Sequence, residues 1–477
     1  MHIKKEMFRL DNSYLSLPSI LFSNEKPEQA PMPKCVLWNQ EFFEELNIHV
    51  DDKEELERIL VGNRKHPGSV PFSQAYAGHQ FGNFTMLGDG RAIHIGEHLT
   101  KDNNRFDIQL KGAGPTKYSR RGDGRATLKS MLREYLMSEA ITYLGISSSR
   151  SLAVIKTGKD VYRETTHEGA VLTRVMKSHI RVGTFEFIRH FGSIAELKLL
   201  TDYTISRLYP SAKDADNPIE SFFLQFAQKQ IDLVCDWMRV GFIHGVMNTD
   251  NTSISAETFD YGPCAFMNTY HPSTVFSSID SNGRYAYGKQ AEIIQWNMTR
   301  LLEALLPLLN ENEEKALQRA NELLEIIDLS WRKEFSFCLI KKIGLQEISQ
   351  GNLKLAEELL DLMQTHQLDY TNTFATLSHN IKFEGATLNH PELNAWFEKW
   401  DKQAPNRELM QQNNPVFIPR NHLVEDALNE AVHGDLYLFS KLLKVLKNPY
   451  KYVEEHHNFS KPPETDFENN YQTYCGT

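Results

Sequence analysis

Residues 107–136 read DIQLKGAGPTKYSRRGDGRATLKSMLREYL, and the rest of the chain is best understood outward from them. Phe106, Ile108 and Leu110 alternate with polar residues, the period of a half-buried strand, and Lys111 closes the run. Leu128, Met131, Leu132, Tyr135 and Leu136 then recur at helical spacing, with Gly145 as the stop signal. Lys111 therefore ends a strand and Glu134, 23 positions on, lies on the following helix. Between them Arg120, Arg121 and Arg125 flank Gly122-Asp123-Gly124. Arginines on a flexible loop ahead of a helix N-terminus suit an anion. A turn that merely caps the helix is the equal alternative.

Upstream, PFSQAYAGHQFGNFTMLGDGRAIHIGEHL (71–99) is rich in glycine, and MLGDGRAIHIG reads as a hairpin or strand pair about a Gly-Asp-Gly turn. Gly88 and Gly90 let backbone approach a phosphate and Arg91 adds charge, although a plain hairpin turn is the commoner use of so short a motif. Downstream, SLAVIKT (151–157) and GAVLTRVM (169–176) read as strands. Arg174 near the end of the second and Arg181 after it either clamp a polyphosphate or face solvent. From about residue 194 helical patterns dominate, strongest in AEIIQWNMTRLLEALLPLLN (291–310). A polar stretch over 402–422 precedes the last helical segment, and the tail from 449 reads as irregular. The expectation is an α+β, two-lobed fold, an order that a protein-kinase-like fold has but that the pattern alone does not single out: a strand-rich N-lobe (1–190), a helical C-lobe (191–400), and a helical extension and tail (401–477).

HGVMNTDN (244–251) and DYGP (260–263) carry the chemistry. A His opening a loop, an Asn seven places later and an Asp-aromatic-Gly nine further on form the skeleton of a kinase catalytic loop and metal motif. A kinase keeps its catalytic aspartate two residues after the His, where Val246 stands; Asp250 is the acid in this loop. Asn251 offers a carbonyl oxygen and Asp260 a carboxylate, hard donors suited to Mg²⁺. Alone, each motif also reads as a polar turn, and Lys111 or Glu134 as a solvated charge. In this order they mark a nucleotide and metal site. His244 is expected to orient the loop rather than carry a proton.

The 477 residues carry a net charge of −10, which argues against a general nucleic-acid binder. The N-terminus has no apolar run fit for a signal peptide, and no segment approaches membrane-spanning length. Cysteines 35, 235, 264, 338 and 475 are scattered without metal-like spacing, so a reducing cytoplasm is the expected home.

Taken together, LDNSYLSLP (10–18), PFSQAYAGHQFG (71–82), LGDGRA (87–92), the stretch 107–136, HGVMNTDN, DYGP, PRNH (419–422) and ALNEAVHGD (427–435) resemble the selenoprotein O family of protein adenylyltransferases. The resemblance implies a kinase-like fold that binds ATP flipped, so that AMP passes to a protein Ser, Thr or Tyr hydroxyl and pyrophosphate leaves. UMP transfer from UTP is implied as a second activity, and the protein itself as one acceptor. It further implies that Lys111 binds phosphate and pairs with Glu134. Gly88, Gly90, Arg91, Asp123 and Gly124 would contact the nucleotide, and Arg174 and Arg181 its terminal phosphates. Asn251 and Asp260 would hold Mg²⁺ or Mn²⁺, Asp260 also meeting the nucleotide, and Asp250 would accept the proton. A conventional kinase and a catalytically silent nucleotide-binding scaffold are the alternatives. Many relatives pair a cysteine after the metal motif with one near the C-terminus; Phe276 stands at that place here, so Cys475 is not expected to form the pair.

Overall fold

The computed structural model describes residues 7–474. Seven strands pair antiparallel in the order Phe22–Asn24, Phe72–Gln74, Ala92–Leu99, Arg105–Lys111, Thr166–Met176, Arg150–Tyr162 and Lys34–Trp38. Leu10–Asp11 joins Ala92–Leu99, and Ala126–Thr127 joins Thr166–Met176. Side-chain alternation divides the sheet's residues between two cores. Ile93, Ile95, Ile108 and Leu110 pack against Phe42, Phe43, Leu56 and Ile59 of two short helices, Gln40–Glu45 and Lys53–Leu60. Val154 and Leu172 join a second cluster with Leu132 and Leu136 of helix Leu128–Tyr143, which continues into the helical half.

The register sets up the site. Lys111 lies opposite Leu172 and Ala92, and Gln109 opposite Arg174 and His94. Gln109, Lys111 and Arg174 therefore share the sheet face that helix Leu128–Tyr143 covers. Thr127 caps that helix, its hydroxyl accepting the Ser130 amide (3.3 Å), and Gly145 ends it at φ +78°. After the sheet come helices Val182–Phe191, Ile194–Leu208, Pro218–Val240, Gln290–Leu309 and Glu313–Lys342, the last three packed on one another. The α+β expectation holds: a strand-rich half precedes a helical one.

Four details differ from the sequence expectation. Gly88-Asp89-Gly90 is not a hairpin turn, because Asn83–Met86 pairs back with Ala77–Gln80 while Ala92–Leu99 pairs forward with Arg105–Lys111. Asp89 draws the link inward: its carboxylate is buried, and its amide donates to Gln74 O (2.9 Å). The helical half starts at Val182 rather than near 194, and the polar stretch 402–422 contains helix Arg407–Asn413. The tail is ordered too: Thr473 N donates to Phe276 O (2.8 Å) and Ser278 N to Thr473 O (3.0 Å). Cys475 lies outside the described residues. Among the described residues no helix is long and apolar enough to cross a membrane.

The PRNH motif ties the C-terminal extension down. Arg420 is fully buried; its guanidinium donates to Asp369 Oδ2 (2.7 Å), Asn268 Oδ1 (2.8 Å) and Asn372 Oδ1 (2.9 Å). Asp369→Ala leaves that cation uncompensated and is expected to cost ~3–5 kcal/mol in urea unfolding. Nucleotide affinity should hold in the folded fraction.

Candidate active site

A cavity of about 580 Å³ opens where the sheet meets the helical half. Its wall includes Gly88, Gly90, Arg91, Lys111, Asp123, Gly124, Arg174, Arg181, Asp250 and Asp260, drawn from segments far apart in sequence. Eight Arg or Lys residues line it against four Asp, so this surface attracts anions although the chain as a whole is acidic. Glu134 lies buried behind Lys111. Asn251 does not reach the wall; it turns back within its own loop, its amide nitrogen donating to Val246 O (3.0 Å).

Glu134 organises the deep end. Its Oε2 accepts from Lys111 Nζ (2.6 Å) and its Oε1 from Arg174 Nε (2.7 Å), while Asp260 Oδ1 accepts from both Lys111 and Arg174. Burial opposes ionisation of Glu134, but Arg174 and Lys111 outweigh it and hold the carboxyl below its ordinary value. Asp260 is likewise held well below, against burial, by Lys111, Arg174 and Arg91. Burial and the neighbouring Arg174 pull the Lys111 ammonium down despite the two carboxylates. Two cations against two carboxylates thus balance within this cluster of four before any phosphate arrives.

Arg181 is held from three sides. Nη1 donates to Asp250 O (2.9 Å), Nη2 to Asp89 Oδ1 (3.1 Å), and the guanidinium lies 4.0 Å over the Tyr76 ring. The Asp89 carboxylate also meets His94 Nε2 (3.2 Å) and accepts the Gln74 amide (3.0 Å). The arginine loop is divided in its uses. Arg125 is taken by Glu28 (2.8 and 2.9 Å) and Asp123 by Arg163 (2.9 Å), which fixes the loop, while Arg120 and Arg121 stay exposed along the cavity.

Asp250 sits in a single 3₁₀ turn, Thr249–Asn251. Its Oδ1 is buried and has no hydrogen-bond partner, and burial pushes the carboxyl up to about 6, with Arg181 pulling the other way. Gly78 makes this packing feasible, because a Cβ there would lie 2.2 Å from Asp250 Oδ1. Gly78→Ala is therefore expected to displace the carboxylate and cut transfer about 10²-fold, with ATP affinity, read by equilibrium titration, little changed. His244 is buried, Nε2 3.2 Å from Phe259 O, and so steadies the residue before Asp260 rather than facing the cavity.

Asp260 is about one-third exposed (35 %) and offers the cavity a carboxylate oxygen of the kind a hard divalent cation takes, whereas Asn251, off the wall, spends its amide nitrogen on Val246 and keeps its amide oxygen as the donor an ion would use. A second group, His94, Asp107 and His179, brings ligand-type atoms within 4.8 Å of one another in the interior. Asp107 there already accepts Arg207 Nη2 (2.5 Å), His179 N (2.7 Å) and His179 Nδ1 (3.1 Å), so it serves a hydrogen-bonded junction under the sheet. Asp89, Arg163 and Tyr76 were not anticipated. Asp89 sits in the quoted GDG motif, where a carboxylate between two glycines was the available signal; Arg163 and Tyr76 carry none.

A cationic cavity holding a strand lysine, its helix glutamate and a metal-motif aspartate defines a nucleotide-dependent transferase. The family model "Protein adenylyltransferase SelO" matches residues 7–447. Proteins named "Protein nucleotidyltransferase YdiU" are 47% identical in Clostridium perfringens strain 13 (99% of this chain, 98% of that one) and 48% in Anoxybacillus flavithermus (98% and 99%). ROP2 from Toxoplasma gondii, a virulence factor described as having a protein-kinase fold and no enzymatic activity, aligns over 77% of this chain and 92% of its own. Its TM-score is 0.25 and its identity 9%, too slight a likeness to weigh. The chain belongs to the SelO protein adenylyltransferase family. The nucleotidyltransferase reading stands over a conventional kinase and over a silent scaffold.

Proposed function

We propose that this cavity transfers AMP from ATP, or UMP from UTP, to Ser, Thr or Tyr hydroxyls of acceptor proteins in the cytoplasm, itself among them. The observation that carries the reading is the buried Asp250 carboxylate, its Oδ1 without a hydrogen-bond partner, on a wall it shares with Lys111, Arg174 and Arg181. Lys111, Arg174 and Arg181 bind the phosphates, and Gly88, Gly90 and Arg91 with Asp123 and Gly124 embrace the rest of the nucleotide. Asp260 and Asn251 hold Mg²⁺ or Mn²⁺, which when bound offsets phosphate charge. The acceptor oxygen forms a bond to the α-phosphorus, the bond from that phosphorus to the bridging oxygen breaks, and pyrophosphate leaves. The Asp250 carboxylate takes the hydroxyl proton. Such transfer depends mainly on positioning and charge neutralisation, so the base is free to move along its loop when the reacting phosphorus moves. Val246 at the kinase base position is consistent with that displacement.

ATP labelled at the α- or the γ-phosphate tests the proposal. α-label in protein, with release of pyrophosphate, is the expected result; γ-label would mean a kinase, and no label a scaffold.

A further inference from the structure

Beside Asp250 lies a piece of sheet that the reaction as described does not use. Strands Ala77–Gln80 and Asn83–Met86 form a two-stranded hairpin across the turn Phe81-Gly82, whose φ values of +50° and +86° match the turn type that two-residue hairpins favour. An isolated hairpin is marginal in water. This one is fastened to the catalytic loop: His79 N donates to Thr249 Oγ1 (2.7 Å) and Phe81 N to Asn248 Oδ1 (3.1 Å). Asn248 and Thr249 thus hold the hairpin while the next residue, Asp250, faces the cavity.

The outer strand is bare. Among the described residues only Ala77–Gln80 pairs with Asn83–Met86. The pairs run Gln80 with Asn83, His79 with Phe84, Gly78 with Thr85 and Ala77 with Met86. Bonded and non-bonded pairs alternate from the turn, and Leu87 N donating to Tyr76 O (2.9 Å) fits that phase. The peptide groups of Phe84 and Met86 therefore point away from the hairpin. Both side chains are exposed, 38% and 51%. Proteins usually blunt such an edge with charge, proline or a bulge, and Asn83-Phe84-Thr85-Met86 carries none of these.

We infer that this edge is the docking site for the acceptor protein, which adds an extended segment as a third strand and so delivers its hydroxyl to Asp250. The inference rests on the nucleotidyltransferase reading and names how that site takes its protein substrate. Continuity with the cavity supports it, because the edge strand runs straight into Leu87 and Gly88 of the wall. At about 3.4 Å per residue, a segment paired with Phe84 and Met86 places its next two or three residues at the cavity mouth. Charge defines the occupant further. Phe84 packs on His190 (4.9 Å) beside Arg189, and Trp296 lies between the guanidinium groups of Arg284 and Arg300 (4.9 and 5.0 Å). The segment that fits has apolar or β-branched residues at alternate positions and acidic residues at its end over Phe84 and the Phe81-Gly82 turn, away from the hydroxyl, because Arg284 lies beside Gly82.

The test uses the full chain, α-labelled ATP and a pooled library of short peptides, each with one central Ser, Thr or Tyr. Phe84→Pro and Met86→Pro remove the outward amides at positions where an edge strand tolerates proline. Each is expected to raise the peptide KM about five-fold or more while ATP affinity stays put. As a second measurement, saturating peptide should slow hydrogen exchange of the Phe84 and Met86 amides in the wild type. An unchanged KM in folded variants, or unprotected amides in the wild type, overturns the inference alone. No α-label on any peptide or on the protein itself overturns the underlying reading and the inference with it. If light scattering finds a dimer that Met86→Pro dissociates, the edge belongs to a second copy and the inference fails.

Discussion

Asp250→Asn is expected to lower nucleotide transfer by about 10²–10⁴-fold, the usual contribution of a positioned base, and to raise stability at neutral pH. Both effects come from one buried carboxyl. Burial lifts it from the ordinary 3.8 to about 6, so the folded state holds its proton more tightly than the unfolded chain. Stability is therefore lost as pH rises from about 4 through 6, up to ~3 kcal/mol at 1.36 kcal/mol per pH unit. Asparagine stays neutral and escapes that cost. Thermal melts of the two proteins should converge near pH 4 and separate by pH 7.5, with the variant the more stable. The pH–rate profile of the wild type should rise through an inflection near 6, and the variant's residual rate should lack it. A variant with nearly full transfer would remove Asp250 as the base.

Glu134→Ala is expected to cost ~3–5 kcal/mol and to abolish measurable ATP binding. Two buried cations depend on that carboxylate: Lys111 through Oε2 and Arg174 through Oε1. Removing it leaves them facing each other with Asp260 alone between them. Lys111, already drawn down by burial and by Arg174, then tends to release its proton and lose its hold on phosphate. Glu134→Gln keeps the shape and should recover part of the stability but little of the affinity. Urea midpoints and ATP titration check both variants, and an unchanged midpoint in Glu134→Ala would refute the bridging role.

Strand Arg105–Lys111, helix Leu128–Tyr143 and the strand pair Arg150–Tyr162 and Thr166–Met176 were legible in the sequence, because burying one face imposes a period of 2 or 3.6. The grouping of Lys111, Glu134 and Asp260 was legible as well, because charges of opposite sign on a strand, a helix and a loop motif must pair when they are buried together, whereas Asn251 stays off the cavity wall. The hairpin reading of MLGDGRAIHIG failed for a reason outside the segment: both flanking strands alternate correctly, but each finds a different partner. Periodicity tells a strand which face to bury and says nothing about its neighbour.

The sequence by itself thus determined which elements form and which chemical groups the chain possesses. Only the tertiary structure decided how those groups act. It brought Arg174 to Glu134 across 40 residues, Arg181 to Asp89 across 92, and the Ala77–Gln80 strand onto the loop that holds Asp250. Charge pairing and desolvation depend on distance in space. Local pattern cannot encode them, and here they separate the buried, proton-retaining Asp250 from an ordinary aspartate.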